Sequence, residues 1–115
     1  MKNNINRHCY SCDLKDNPDL IAAYKEHHQP SNVWPEITES IKSSGIVNMQ
    51  IYLTGNRLFM IIDVNDDFDP IKKAEKDAAD PKVQEWEELM WAFQKALPWA
   101  KAGEKWVKME AIFNL

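Results

Sequence analysis

Residues 46–62 read Ile46-Val47-Asn48-Met49-Gln50-Ile51-Tyr52-Leu53-Thr54-Gly55-Asn56-Arg57-Leu58-Phe59-Met60-Ile61-Ile62, and this stretch decides the fold. Its first half alternates as a strand over residues 46–53, with Met49, Ile51 and Leu53 on one face. Thr54-Gly55-Asn56 is turn chemistry, so residues 57–65 pair back as a hairpin. The returning strand has no polar side between Leu58 and Ile62, and a strand apolar on both faces is covered on both faces. The protein's own helices supply one cover. In a chain of 115 residues, a second subunit is expected to supply the other.

Working back towards the N-terminus, residues 7–14, Arg-His-Cys-Tyr-Ser-Cys-Asp-Leu, read as a first strand of mixed polarity. Asn17-Pro18 is a helix cap followed by a proline at the first helical position. The helix that follows carries Ile21, Tyr24 and His28 at i, i+3, i+7, on one face. It ends near Gln29, because Pro30 disfavours helical geometry in the residue before it. A second short helix places Trp34, Ile37 and Ile41 on one face, with Pro35 early and Gly45 as its stop.

Towards the C-terminus, residues 66–79 are acidic and then helical. Asp80-Pro81 caps the main second helix, whose stripe is Val83, Trp86, Met90, Phe93 and Leu97. Pro98 breaks it, Gly103 marks a loop, and residues 105–113 form a last strand. The order is β-α-α-β-β-α-β, a ferredoxin-like split unit with one extra short helix. The expected fold is therefore α+β: one domain over residues 1–115, a four-stranded antiparallel sheet with helices on one face. Two open sheet faces stacked together would make a dimeric α/β barrel, so a homodimer is expected.

Composition narrows the function classes. The chain is 44% hydrophobic and 28% charged, as one globular domain should be. A formal net charge of −4 is the wrong sign for nucleic acid or for an anionic membrane surface. The N-terminal residues 1–7 lack the apolar run of a secretory signal, and no stretch approaches the roughly 18 to 20 apolar residues of a membrane span. The cytoplasm is the expected compartment. Cys9 and Cys12 form a C-x-x-C, but a structural zinc site needs four ligands and the histidines are unsuitably spaced. Residues three apart on a strand also face opposite sides. Two reduced, buried thiols are expected, and no metal.

One group of side chains suits chemistry. Tyr24 and His28 sit one turn apart, close enough to line a single pocket. Histidine, with an unperturbed pKa of about 6.5, can both give and take a proton near neutrality. Tyrosine brings a hydroxyl that can orient a ligand oxygen. Trp86, on the main second helix, offers an indole face suited to the apolar side of a sugar ring. Such residues on amphipathic helices are more often packed core, and spacing does not choose between His27 and His28, which lie within about a sixth of a turn of Tyr24. Trp34 and Tyr52 read as core more readily than as pocket wall.

The run Tyr24-Lys25-Glu26-His27-His28, followed by Val33-Trp34-Pro35-Glu36-Ile37, resembles the Tyr-x-x-x-His then Trp-Pro-Glu signature of the L-rhamnose mutarotase family. Residues 48–53 with Asn56-Arg57-Leu58-Phe59 are similar to that family's paired strands. Val83-Gln84-Glu85-Trp86 is similar to the segment leading to its sugar-stacking tryptophan. The likeness covers nearly the whole chain in the right order. It implies a dimeric α/β barrel and a cofactor-free enzyme acting on a monosaccharide. His28 would take the place of the proton-donating histidine, with Tyr24 and Trp86 in those of sugar-binding residues. Met49 stands where family members acting on rhamnose commonly have a second binding tyrosine. Glu87 stands where they have the second of two tandem tryptophans, and two extra residues separate His28 from Trp34. Glu after the tryptophan, with Gly55-Asn56-Arg57-Leu58-Phe59-Met60, is more similar to a branch linked to L-fucose.

The resemblance implies interconversion of the anomers of a 6-deoxy-L-hexose, L-rhamnose or L-fucose. His28 would deliver and recover one proton, while Tyr24 or Glu87 orients or relays the other. Glu87 suits a solvated helix charge equally well. Two other classes share this fold expectation. One is a small oxygenase or haem-binding protein, with His28 as axial ligand. The other is a non-catalytic sugar-binding module.

Overall fold

In the computed structural model, which describes residues 5–115, every helix opens on a proline. The helices are α1 (Pro18–His27), α2 (Pro35–Ser43), α3 (Pro70–Ala79) and α4 (Pro81–Trp91). A proline loses nothing at that position, since its missing N–H would have no intrahelical partner and its φ is preset. At three of the four starts the preceding side chain completes the cap. Asn17, Asp69 and Asp80 each accept two main-chain N–H groups of the first turn, at 2.9–3.4 Å.

The strands are β1 (Asn6–Leu14), β2 (Ile46–Thr54), β3 (Arg57–Val64), β4 (Gln94–Lys95) and β5 (Val107–Lys108). The sheet runs β2-β3-β1-β4, with β5 also on β1, and every pairing is antiparallel. The hairpin forms as its turn residues require, with Gly55 at a φ of 55°. Four helices are present among the described residues, so the order is β-α-α-β-β-α-α-β-β. The α+β, ferredoxin-like sheet topology with helices on one face is as expected.

Opposed residues in an antiparallel pair share a face, which fixes the two sides of the sheet. Leu14, Leu58, Ile51 and Leu53 pack against Tyr24, Ile37, Val83, Trp86 and Met90 of the helices. Met49, Met60, Ile62 and Val64 continue that layer. The other face carries Cys9 opposite Ile61, Ser11 opposite Phe59 and Tyr52 opposite Phe59. Ion pairs bracket it: Arg7 to Asp63 at 2.8 Å and Arg57 to Asp13 at 2.7 Å. Tyr52 is 54% exposed on this outer face, so it is neither core nor cavity wall. Cys12 faces inward and is buried, whereas Cys9 on the outer side is half-buried; both are free thiols.

Two expected elements differ. Helix α4 stops at Trp91, with Ala92 as its cap, rather than running to Pro98. Helix propensity is high through residues 92–97, but β1 claims that backbone. Lys15 N–H donates to Phe93 C=O at 2.8 Å, and Gln94 and Lys95 pair with Leu14 and Asp13. The expected strand over 105–113 contracts to Val107–Lys108, extended by Met109 N–H donating to Cys9 C=O at 2.7 Å. Beyond that point the chain leaves the sheet.

Candidate active site

Between the helix layer and the inner sheet face lies a cavity of about 540 Å³, within the usual size of small-molecule sites. The end of α1 supplies Tyr24 and His28, α4 supplies Trp86, Glu87 and Met90, and β2 supplies Met49 and Ile51. All five residues singled out in the sequence for chemistry or binding, His28, Tyr24, Trp86, Glu87 and Met49, therefore border one space.

The geometry of His28 follows from the way a helix ends. The last carbonyls of an α-helix lack i+4 donors. His28 is the cap residue, and its own N–H turns back to Lys25 C=O at 3.1 Å, which strands the carbonyl of Tyr24. The imidazole replaces the lost donor: Nδ1 lies 2.8 Å from Tyr24 O. A carbonyl only accepts, so the proton belongs on Nδ1 and the neutral ring keeps its lone pair on Nε2. The ring packs against Tyr24 at 4.2 Å with a 34° tilt and lies 5.7 Å edge-on to Trp86. Burial lowers its pKa below the ordinary histidine value, against the opposing pull of the Tyr24 carbonyl. The resting imidazole is neutral at physiological pH and basic at Nε2.

His27, which spacing could not separate from His28, packs against Phe93 at 5.2 Å and Trp86 at 6.5 Å and is not among the cavity-lining residues. Trp34 sits behind Trp86, its ring 5.2 Å away at 70°, and holds that indole in place. Tyr24 is only 4% exposed, and burial raises its phenol far above the usual range. It is a neutral hydrogen-bonding group rather than a base.

Several lining residues were not singled out in the sequence. Gln94 donates from Nε2 to the Tyr24 hydroxyl at 3.3 Å. Lys105 and Trp106 arrive from the C-terminal segment. The Lys105 ammonium donates to Glu87 C=O at 3.1 Å and lies 4.8 Å over the Trp91 ring. Burial lowers its pKa, partly offset by the Glu87 carboxylate. At the opposite end Lys73 pairs with Asp77 at 2.7 Å, and Ser40 donates to the same carboxylate at 3.1 Å. Gln94 had no helical sign, since it lies past the end of α4 and reaches the cavity through its pairing with Leu14 in β1.

The shape of the chain is shared with solved structures at low sequence identity. A crystal structure of an L-rhamnose mutarotase from Formosa agariphila superposes with a TM-score of 0.69 at 22% identity, covering 96% of this chain and 98% of the other. Tetracenomycin F2 cyclase from Streptomyces glaucescens superposes with a TM-score of 0.60 at 18% identity, covering 96% of each chain. These define the fold class, a ferredoxin-like sheet that serves unrelated activities. Sequence goes further. A family model described as L-rhamnose mutarotase matches residues 7–115, and the chain belongs to that family. It is also 49% identical over 111 residues to an L-fucose mutarotase from Xanthomonas campestris, covering 96% of this chain and 89% of that one.

Proposed function

We propose that this protein is a mutarotase that interconverts the α and β anomers of a 6-deoxy-L-hexose, with His28 as the general acid–base residue and L-fucose preferred to L-rhamnose. Family membership supports the reaction class, and the relative named L-fucose mutarotase supports the sugar. The observation that carries the mechanism is the fixed tautomer of His28, set by its 2.8 Å bond to the Tyr24 carbonyl in a cavity walled by Trp86.

Mutarotation opens the hemiacetal ring, allows rotation about C1–C2, and recloses the ring on the other carbonyl face. In the opening step Nε2 of His28 takes the proton of the anomeric hydroxyl. The C1–O5 bond breaks as C1=O forms, and O5 takes up a proton drawn from solvent through Glu87. Tyr24, neutral and anchored, orients the sugar, while Glu87 relays the second proton at the cavity mouth. Trp86 packs against the apolar face of the ring. Reclosure runs the same transfers backwards, and imidazolium returns its proton. These steps are proton transfers and one rotation, which side chains alone can carry out.

The outer sheet face supports a homodimer, with Phe59, Ile61 and Tyr52 of two copies covering one another. No helix among the described residues is long and apolar enough to cross a membrane.

The test is saturation-transfer NMR between the α and β anomeric protons of L-fucose and L-rhamnose. His28→Ala should lose about 10²–10⁴-fold in enzyme-driven exchange. A variant that exchanges anomers as fast as the parent overturns the His28 assignment. A parent that binds sugar without accelerating exchange is a binding module instead.

A further inference from the structure

We propose that Gln94 is a sugar-recognition residue: one end of its amide holds the Tyr24 hydroxyl, and the other end hydrogen-bonds a hydroxyl of the bound sugar. The proposal rests on the sugar-binding reading of the cavity and assigns it a residue of β4, just past α4. Gln94 is 3% exposed and borders the cavity between Tyr24 and Met90. Its Nε2 donates to Tyr24 Oη at 3.3 Å, while its Oε1 has no partner among the described residues. A buried amide oxygen without a donor is rare in folded proteins, because its lost hydration is not replaced.

The position makes that orphan informative. Gln94 is the first residue of β4 and borders the cavity beside Tyr24, Trp86 and Met90, where an apolar side chain would carry no polar atom to satisfy. The main-chain pairing of Gln94 with Leu14 is indifferent to the side chain, so strand formation does not explain the amide. Either orientation of the amide leaves the same demand. With Nε2 on the phenol, Oε1 is unpaired and buried, and the amide must turn toward the cavity for it to accept from a ligand; turned around, Oε1 takes the phenol proton and the NH2 is left to donate. A sugar hydroxyl both donates and accepts, and can satisfy whichever end remains. Gln94 thereby ties the sugar to the hydroxyl of Tyr24, whose ring packs against the imidazole of His28 at 4.2 Å.

The experiment compares the parent with Gln94→Met, which keeps length and apolar volume but removes the amide. Isothermal titration with L-fucose and L-rhamnose is expected to show at least tenfold weaker binding. Thermal unfolding without sugar is expected to change little, since removing the unmet oxygen offsets the loss of the bond to the Tyr24 hydroxyl. The same substitution in a Tyr24→Phe background should still weaken binding, because the amide's own contact with sugar is lost. Unchanged sugar affinity with a lowered Tm would make Gln94 a structural partner of Tyr24 and overturn the proposal. So would an effect that vanishes in the Tyr24→Phe background. These outcomes are read from binding, so a parent that binds sugar yet exchanges no anomers would refute the mutarotase reading and leave Gln94 judged separately.

Discussion

An imidazole whose Nδ1 proton is committed to a main-chain carbonyl can act as a base only through Nε2, and only while neutral. Burial lowers the His28 pKa from its ordinary 6.5. The pH profile of kcat/KM for anomer exchange should therefore have an acid limb with its midpoint below pH 6.5. The sign for stability is the same. The unfolded chain binds the proton more readily, so His28 contributes full stability above about pH 6.5 and loses it as pH falls through the folded value. A midpoint above 6.5 would mean that another group limits the rate. Glu87 occupies the cavity edge beside Trp86. Replacing it with tryptophan should change the ratio of kcat/KM for L-fucose over L-rhamnose by about tenfold or more; an unchanged ratio would mark it as a solvated helix charge. At this scale the sequence was legible where residues recur on one helix face, as Tyr24 and His28 do. It could not separate His27 from His28, because the choice depends on which imidazole replaces the donor missing from the carbonyl of Tyr24. Lys105 and Trp106 were hidden for a different reason: sequence distance from α1 says nothing about proximity in space.

Helix starts were readable because their chemistry is local. An acceptor side chain followed by proline meets the needs of the first turn without help from elsewhere, as Asp80-Pro81 does. The end of α2 is equally local, and strict. Gly45 has a φ of 97°, and a Cβ there would lie 2.6 Å from Asn65 Oδ1 and 2.9 Å from the Phe68 main-chain nitrogen. Gly45→Ala should cost about 1–3 kcal/mol from backbone conformation alone, with the clash adding to it, measurable by urea unfolding. A loss below a few tenths of a kcal/mol would show that the loop relaxes freely. The end of α4 was not readable. Nothing in residues 92–97 breaks a helix; the unpaired edge of β1 does, through Lys15 and Phe93. The final strand was overextended for the mirror-image reason, since β1 offers only a short edge to residues 107–109.

For the whole molecule, the apolar run from Leu58 to Ile62 announced two covered faces, and one chain covers one of them with its helices. Cys9, Phe59, Ile61 and Tyr52 form the central part of the other, between the Arg7–Asp63 and Arg57–Asp13 ion pairs. Ile61→Arg should convert a dimer into a species with the mass of one chain by light scattering, because a buried unpaired charge would face its own copy across the interface. A parent that is already monomeric at micromolar concentration would refute the homodimer. The topology carries a last consequence for biosynthesis. β1 leaves the ribosome before its partners β3, β4 and β5, which emerge progressively later. One of its edges can pair only once Arg57–Val64 has been made, and the other only with Gln94–Lys95 and Val107–Lys108. Pairing between distant segments is slower than local pairing, so β1 is expected to join the sheet after the β2–β3 hairpin has formed.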